Sequence, residues 1–78
     1  MANQIPSMKA RDLLAMLQRK PLSYVVVRQT GSHRRMESPY YPPLTFAFHD
    51  GDTIGAGMVR KILVNSVGLT TDEIAGIL

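Results

Sequence analysis

Apolar residues near the start of the chain recur with the period of an α-helix. Ser7 can cap such a helix, and Pro21 ends it because the residue before a proline avoids the helical region. The spacing predicts an amphipathic helix over residues 8–20. Its apolar face would carry Ala10, Leu13, Leu14 and Leu17, with Met16 at the margin.

Three later segments have the composition and spacing of β-strands, and they cover residues 22–28, 33–38 and 44–49. Thr30-Gly31 predicts a turn between the first two, since glycine reaches a positive φ without steric cost. The segment 39–43 predicts a loop between the last two, because its three prolines have no amide hydrogen to donate to a neighbouring strand. Connections this short favour antiparallel pairing.

The polar and apolar residues of the last two strands alternate, which assigns their faces. In the second strand Met36 should point towards the helices, whereas His33 and Arg35 should lie together on the opposite, accessible face. In the third strand the apolar face would carry Leu44, Phe46 and Phe48. The first strand is apolar on both faces, so its faces stay ambiguous.

The second half of the chain predicts a turn at Asp50-Gly51-Asp52 and then two helices. Gly68 would end the first helix as a C′ glycine. Thr70 and Glu73 form a capping box that begins a short last helix, with Leu69 and Ile74 as its hydrophobic staple. The apolar face of the first of these helices would carry Met58, Val59, Ile62, Leu63 and Val67. The whole pattern predicts an α+β fold, a three-stranded antiparallel sheet with helices packed on one face.

Length and composition narrow the class of protein. The chain has 78 residues and is expected to form one domain, with residues 1–6 as a flexible tail. It has no cysteine, which excludes disulfides and zinc–thiolate sites. No apolar run is long enough to cross a bilayer, and the first residues lack the pattern of a signal peptide, so we expect a cytoplasmic protein.

Charge is distributed unevenly along the chain. Seven basic residues and one acid, Asp12, lie between positions 9 and 35, whereas two basic residues, Arg60 and Lys61, and five acids follow. Such a basic half is typical of a surface that binds nucleic acid or an acidic protein, although it would also suit solvated faces of a helix and a hairpin. The seven basic residues are Lys9, Arg11, Arg19, Lys20, Arg28, Arg34 and Arg35.

The clearest candidate chemistry lies at Gly31-Ser32-His33, which is followed directly by Arg34 and Arg35. Imidazole is suited to proton transfer near neutral pH, and guanidinium groups bind phosphate oxygens in a forked geometry. This combination predicts either cleavage or simple binding of a phosphodiester backbone, so a metal-independent ribonuclease and a non-catalytic binding module both remain open.

Three further residues have alternative interpretations. His49 beside Asp50 is typical of a turn residue, although it could act jointly with His33. A metal site built from His33, His49 and Asp50 is a further alternative, but the spacing of these residues matches no known ligand pattern. Tyr40 and Tyr41 could stack on unpaired bases or simply cover the edge of a small core. We expect neither a metal nor another cofactor.

Several of these motifs, taken in order, resemble the HicA family of small bacterial and phage toxins. The similarity begins with the helix around Ala10-Arg11-Asp12-Leu13-Leu14 and is strongest at Gly31-Ser32-His33. It continues through His49, Gly57 before Arg60-Lys61-Ile62-Leu63, and Val67-Gly68-Leu69. The chain differs from the family pattern in the proline- and tyrosine-rich loop 39–43, and in Met58, where threonine is common.

The resemblance implies a fold similar to double-stranded-RNA-binding domains and the activity of an mRNA interferase, the toxin of a type II toxin–antitoxin pair. It implies His33 as the catalytic residue and a HicB-type antitoxin as the protein partner, which we expect to cover the face of His33. The residues expected to contact RNA are Arg34, Arg35, Arg28, Lys9, Arg11 and Ser32.

Overall fold

The structure, a computed structural model, describes residues 5–78. Within them the fold is α+β, with a three-stranded antiparallel sheet and three α-helices, and the predicted fold class is confirmed. The elements in chain order are β1 (Met8–Lys9), α1 (Ala10–Gln18), β2 (Val25–Thr30), β3 (His33–Glu37), β4 (Leu44–Ala47), β5 (Thr53–Ile54), α2 (Ala56–Lys61), a π-helical segment (Ile62–Val67) and α3 (Thr71–Ile77).

The main sheet has the strand order β2-β3-β4, with both neighbouring pairs antiparallel. Thr30 still pairs with His33, so the hairpin loop consists of Gly31 and Ser32, one residue later than predicted. Gly31 has a φ of +59°, as the first position of a type II′ turn requires, and this confirms the reason for a glycine here. Strand β2 also begins later than predicted, because Ser23 has a φ of +56° and so interrupts the extended backbone. Leu22 and Tyr24 are buried in the connection from α1.

The core lies between the main sheet and the helices. Met36 and Phe46 are at most 1% exposed and pack with Leu13 and Leu17 of α1, as the alternation predicted. Phe48 lies just beyond β4 and is half-buried, with its ring edge-to-face against Phe46 at 5.3 Å between centroids. One face of the sheet is therefore covered, and the other faces solvent.

The start of α1 differs from the prediction. Ser7 does not cap the helix, since the N-cap residue is Lys9 and no side chain caps there. Met8 and Lys9 instead form β1, which pairs with β5. The amide of Ala10 donates to the carbonyl of Asp52 at 2.8 Å, and the amide of Arg11 donates to the carbonyl of Asp50 at 3.3 Å. Backbone carbonyls from a distant turn thus replace the predicted side-chain cap.

The second helical region runs from α2 directly into the π-helical segment. Gly68 ends it with a φ of +89°, and the amide of Leu69 donates to the carbonyl of Leu63 at 3.0 Å, so the predicted C′ glycine is confirmed. Met58 is 43% exposed, and its predicted place on the apolar face is wrong. It lies one residue, about 100° of helical rotation, before the fully buried Val59.

The last helix begins as predicted. The hydroxyl of Thr70 accepts from the amide of Glu73 at 3.2 Å, and the carboxylate of Glu73 accepts from the amide of Thr70 at 2.9 Å. Leu69 and Ile74 are both buried at the staple positions. Of the predicted flexible tail, residues 1–4 lie outside the described residues, whereas Ile5 packs against the core.

None of the helices found in residues 5–78 has the length and apolar character that a bilayer-spanning segment needs.

Candidate active site

A shallow depression of about 370 Å³ opens on the solvent-facing side of the main sheet. Side chains from all three strands line it, namely Arg28, Thr30, His33, Arg35 and Thr45. It contains the candidate catalytic histidine and two of the arginines expected to contact RNA.

Cross-strand pairing explains why these side chains meet. Arg28 lies opposite Arg35, and Thr30 lies opposite His33, on the paired strands β2 and β3. On the other side of β3, Arg35 pairs with Thr45 and its Nη1 lies 3.5 Å from the Thr45 hydroxyl. Paired residues project from the same face of a sheet, so the five side chains share one surface.

An irregularity in β2 brings Arg28 into this group. The pairing register shifts between Val26 and Arg28, which leaves Val27 as an extra residue. Val26 pairs with the buried Met36 and so points inward, and strict alternation would then point Arg28 inward as well. The β-bulge reverses the alternation and places Arg28 on the outer face beside Arg35.

His33 is held in an accessible position at the start of β3, directly after the tight loop of Gly31 and Ser32. Its neighbour across β4 is Ala47, whose methyl group is too small to cover an imidazole ring. His33 is accordingly exposed, as predicted, and a ligand in the depression can reach it.

The depression is lined by two arginines and by no acidic side chain. Arg28 and Arg35 lie directly opposite each other, an arrangement that destabilises a sheet when both residues carry the same charge. Within residues 5–78 neither forms an ion pair with a carboxylate. A bound phosphate would relieve this repulsion and could accept hydrogen bonds from both guanidinium groups. The arrangement can therefore bind a phosphodiester next to an imidazole.

Arg34 does not belong to this surface, although it lies between His33 and Arg35 in the sequence. Its Nη2 is 3.1 Å from Oδ1 of Asp50, and its Nη1 donates to the carbonyl of Phe48 at 3.4 Å. The side chain is only 14% exposed. Alternation along β3 points it to the inner side, where it joins β3 to the turn that follows β4.

The remaining residues expected to contact RNA also lie outside the depression. Lys9 donates from Nζ to the carbonyl of Gly51 at 3.3 Å, so it gathers with Arg34 around the turn at Asp50. Arg11 is exposed on α1. Ser32 is the second residue of the hairpin loop and is partly buried. Two of the seven basic residues, Arg28 and Arg35, thus lie in the depression. Lys9, Arg11 and Arg34 lie near this turn, whereas Arg19 and Lys20 lie just after the end of α1.

His49 has the local role that one interpretation predicted. Its amide donates to Oδ2 of Asp52 at 3.0 Å, and its carbonyl accepts from the amide of Asp52 at 2.9 Å. It does not line the depression with His33. In the described part of the chain no three His, Cys, Asp or Glu residues are grouped so that they could hold a metal ion.

Thr30 and Thr45 line the depression but were not among the candidate residues. Their hydroxyls add two small hydrogen-bonding groups beside His33 and Arg35. Alternation along the third strand already predicted an outward Thr45. For Thr30 no such signal existed, since its face depends on the bulge in β2.

Comparison with known protein families gives a match that covers most of the chain. A family model described as the HicA toxin of bacterial toxin–antitoxin systems matches residues 10–69, a range that includes every residue lining the depression. No curated protein and no solved structure matches the chain.

Proposed function

We propose that this chain, which belongs to the HicA toxin family of bacterial toxin–antitoxin systems, is a metal-independent endoribonuclease with His33 as its catalytic residue. The observation that supports this most is the depression in which an exposed imidazole lies on the same surface as Arg28 and Arg35. The substrate is mRNA, and the reaction takes place in the cytoplasm.

In the proposed reaction His33 acts as a general base. The neutral imidazole takes the proton from the 2′-hydroxyl, or from a water molecule, as that oxygen attacks the phosphorus atom. The bond between phosphorus and the leaving ribose oxygen then breaks, and that oxygen takes up a proton from the protonated His33 or from water. The guanidinium groups of Arg28 and Arg35 stabilise the negative charge that develops on the phosphorane oxygens. Proton transfer by one histidine contributes about 10²- to 10⁴-fold, so we expect a slow enzyme that depends on substrate positioning.

The proposed RNA contacts fall into two groups, one at the cleavage site and one outside the depression. Arg28 and Arg35 bind the phosphate at the cleavage site, and Ser32 lies next to it at the hairpin loop. The exposed Lys9 and Arg11 add attraction for RNA outside the depression. Arg34 is engaged with Asp50, so we assign it a role in the fold rather than in RNA binding.

A HicB-type antitoxin would inhibit this activity by covering the outer face of the sheet. An acidic surface of the antitoxin would be attracted to the same charges that bind RNA, and it would block access to His33. We therefore expect the association to weaken as the salt concentration rises. A complex in which His33 stays open to solvent and RNA is still cleaved would refute this mode of inhibition.

The second candidate function is a non-catalytic RNA-binding or protein-docking module. One observation favours it: His33 is the only side chain lining the depression that readily transfers a proton near neutral pH. A binding module needs only the cations, whereas an enzyme needs this imidazole as well. Replacing His33 therefore separates the two functions.

The test compares purified wild type, His33→Ala and His49→Ala on a labelled single-stranded RNA in excess EDTA. His49 is a matched control because it is also an exposed histidine near the end of a strand, but it lies outside the depression. We expect His33→Ala to lose cleavage by at least about 10²-fold and to keep RNA binding, and His49→Ala to behave as wild type.

The same variants test the toxicity in cells. Expression without an antitoxin should halt growth for wild type and for His49→Ala but not for His33→Ala. Equal toxicity, or equal cleavage, from wild type and His33→Ala would exclude His33 chemistry. Cleavage that is lost in EDTA and restored by magnesium or zinc would exclude the metal-independent mechanism.

A further inference from the structure

A second hollow, of about 550 Å³, lies at the opposite end of β3 from His33. Two segments form it: the connection between α1 and β2, and the proline-rich loop between β3 and β4. The residues that line it are Lys20, Pro21, Ser23, Tyr40 and Tyr41. None of them lines the depression around His33.

Hydrogen bonds hold the two segments together and so fix the shape of the hollow. The Tyr24 hydroxyl donates to the carbonyl of Pro42 at 2.6 Å, and the Ser38 hydroxyl donates to the carbonyl of Leu22 at 2.6 Å. The amide of Tyr40 in turn donates to the oxygen of Ser38 at 3.1 Å. Ligand binding at a site built in this way loses little conformational entropy.

The two tyrosines of the hollow differ in burial. Tyr41 packs partly buried against the core and forms a fixed wall. Tyr40 is 72% exposed, although its backbone is held by Ser38. A large aromatic ring presented to solvent from an anchored loop is a stacking platform for a planar ligand.

Charge and hydroxyl groups narrow the chemical class of that ligand. Lys20 is exposed at the rim, and in residues 5–78 it forms no ion pair. Ser23 and the tyrosine hydroxyls can donate to and accept from the edge of a base, and no acidic side chain lines the hollow. A planar group with polar edges that is attached to an anion, such as a nucleotide, suits this set of side chains.

The hollow is close enough to the depression for one RNA strand to contact both. Strand β3 runs from His33 to Glu37, so at about 3.3 Å per residue it is about 13 Å long. Tyr40 follows shortly after this end. A short run of nucleotides can therefore extend from the cleavage site to the hollow.

We propose that the hollow binds an unpaired base of the RNA substrate, with Tyr40 stacking on the base and Lys20 contacting an adjacent phosphate. The proposal rests on the ribonuclease function proposed above and adds a substrate class, namely single-stranded RNA that extends beyond the cleavage site. Bases in a duplex are already stacked and cannot enter the hollow.

The experiment measures binding of a fluorescently labelled single-stranded RNA by fluorescence anisotropy, with every variant carrying His33→Ala so that the RNA stays intact. We expect Tyr40→Ala to weaken binding by about 5- to 150-fold and Tyr40→Phe, which keeps the ring, to stay within about twofold. Met58→Ala is the matched control, since Met58 is also large, apolar and 43% exposed, but lies on α2. A plot of log affinity against log salt concentration should become less steep in Lys20→Gln, by the amount expected for the loss of about one phosphate contact.

A second probe separates base stacking from general loss of affinity. On an abasic ribose-phosphate strand of equal length, the protein that carries Tyr40→Ala together with His33→Ala should bind as tightly as the protein that carries His33→Ala alone. Equal binding of the base-containing RNA by Tyr40→Ala and Met58→Ala would overturn the proposal, and so would an equal loss on both strands. Loss of antitoxin binding with normal RNA binding would make the hollow a protein-docking site instead.

These outcomes are distinguishable from failure of the ribonuclease function. Cleavage by wild type that depends on His33, together with normal RNA binding by Tyr40→Ala, would refute the base site alone. Absence of any RNA binding by wild type would refute both proposals. An unchanged melting temperature of Tyr40→Ala excludes unfolding as the cause of weaker binding, and Lys20→Gln tests the site independently.

Discussion

Successive residues of strand β3 point alternately to its outer and inner sides, and the two sides differ in exposure and in the contacts of their charged residues. On the outer side His33 and Arg35 are exposed, and Arg35 faces the like charge of Arg28. On the inner side Met36 is fully buried, and Arg34 is paired with Asp50. Two arginines that are adjacent in sequence therefore differ completely in their contacts. The alternation of one strand separates charge available to a ligand from charge used in the fold.

The outer side is arranged at a cost to stability, which the inner side offsets. Like charges directly opposite each other destabilise an antiparallel pair, whereas burial of large apolar side chains contributes the main stabilisation. The inner residues should therefore control folding, and the outer residues should control interaction with RNA.

The largest effect on stability is expected at Met36. Met36→Ala would leave a cavity between the sheet and α1, and we expect it to lower the free energy of unfolding by about 2–5 kcal/mol. His33→Ala, on the other side of the same strand, should change it by less than about 0.5 kcal/mol. Urea denaturation of both variants measures the difference, and similar losses for the two would contradict the division.

The next effect is expected at Arg28 and Arg35, as a loss of RNA affinity. Arg28→Gln and Arg35→Gln should each weaken RNA binding by about tenfold or more. In each variant the dependence of affinity on salt concentration should also fall by the amount expected for the loss of about one phosphate contact. The free energy of unfolding should stay the same or rise slightly, because each change removes a repulsion. Salt titrations of RNA binding measure this, and a variant that binds RNA normally would remove that arginine from the site.

A smaller effect, on stability alone, is expected at the ion pair between Arg34 and Asp50. Arg34→Gln should lower the free energy of unfolding by up to about 1 kcal/mol, since the carboxylate of Asp50 is 63% exposed and well solvated. RNA affinity should change much less than in Arg35→Gln. Asp50→Asn is the complementary variant, and the double mutant should show the two losses to be non-additive. Weaker RNA binding by Arg34→Gln than by Arg35→Gln would reverse the assignment of the two arginines.

The smallest effect is a pH dependence of stability, which appears only in alkaline solution and concerns the buried Tyr24. Burial, and secondarily the charge of Tyr41, raises the pKa of the Tyr24 phenol above its usual value of 10.0. The neutral phenol is favoured in the folded state, so this stability is fully present below about pH 10 and is lost as the pH rises through the folded-state pKa. The phenolate could no longer donate to the carbonyl of Pro42.

Comparison of wild type with Tyr24→Phe tests this pH dependence. Above about pH 10 the free energy of unfolding should fall more steeply in wild type than in the variant, which has no phenol to ionise at this position. Near neutral pH the variant should be less stable by about 1 kcal/mol, because it lacks the hydrogen bond to Pro42. Parallel curves at alkaline pH would show that Tyr24 does not titrate differently in the folded and unfolded states.

Parts of the candidate site could be predicted from the sequence, because alternation determines faces once a strand is recognised. This is why an exposed His33, an outward Arg35 and a buried Met36 were all predicted from one strand. Arg28 was among the candidate residues, but the face of its strand stayed ambiguous because valines occupy both sides. Arg34 was grouped with Arg35 because adjacency in sequence gave no indication of the ion pair with Asp50, which lies beyond the next strand.

The sequence by itself determined the features that depend on neighbouring residues: the capping box at Thr70 and Glu73, the positive φ at Gly31 and Gly68, and the inward and outward sides of β3. Only the tertiary structure decided the features that depend on distant partners. The bulge that turns Arg28 outward follows from pairing with β3, and carbonyls of Asp50 and Asp52 cap α1 in place of Ser7. The physical reason is that local conformational preferences are present in any short segment, whereas these contacts form only when the chain is folded.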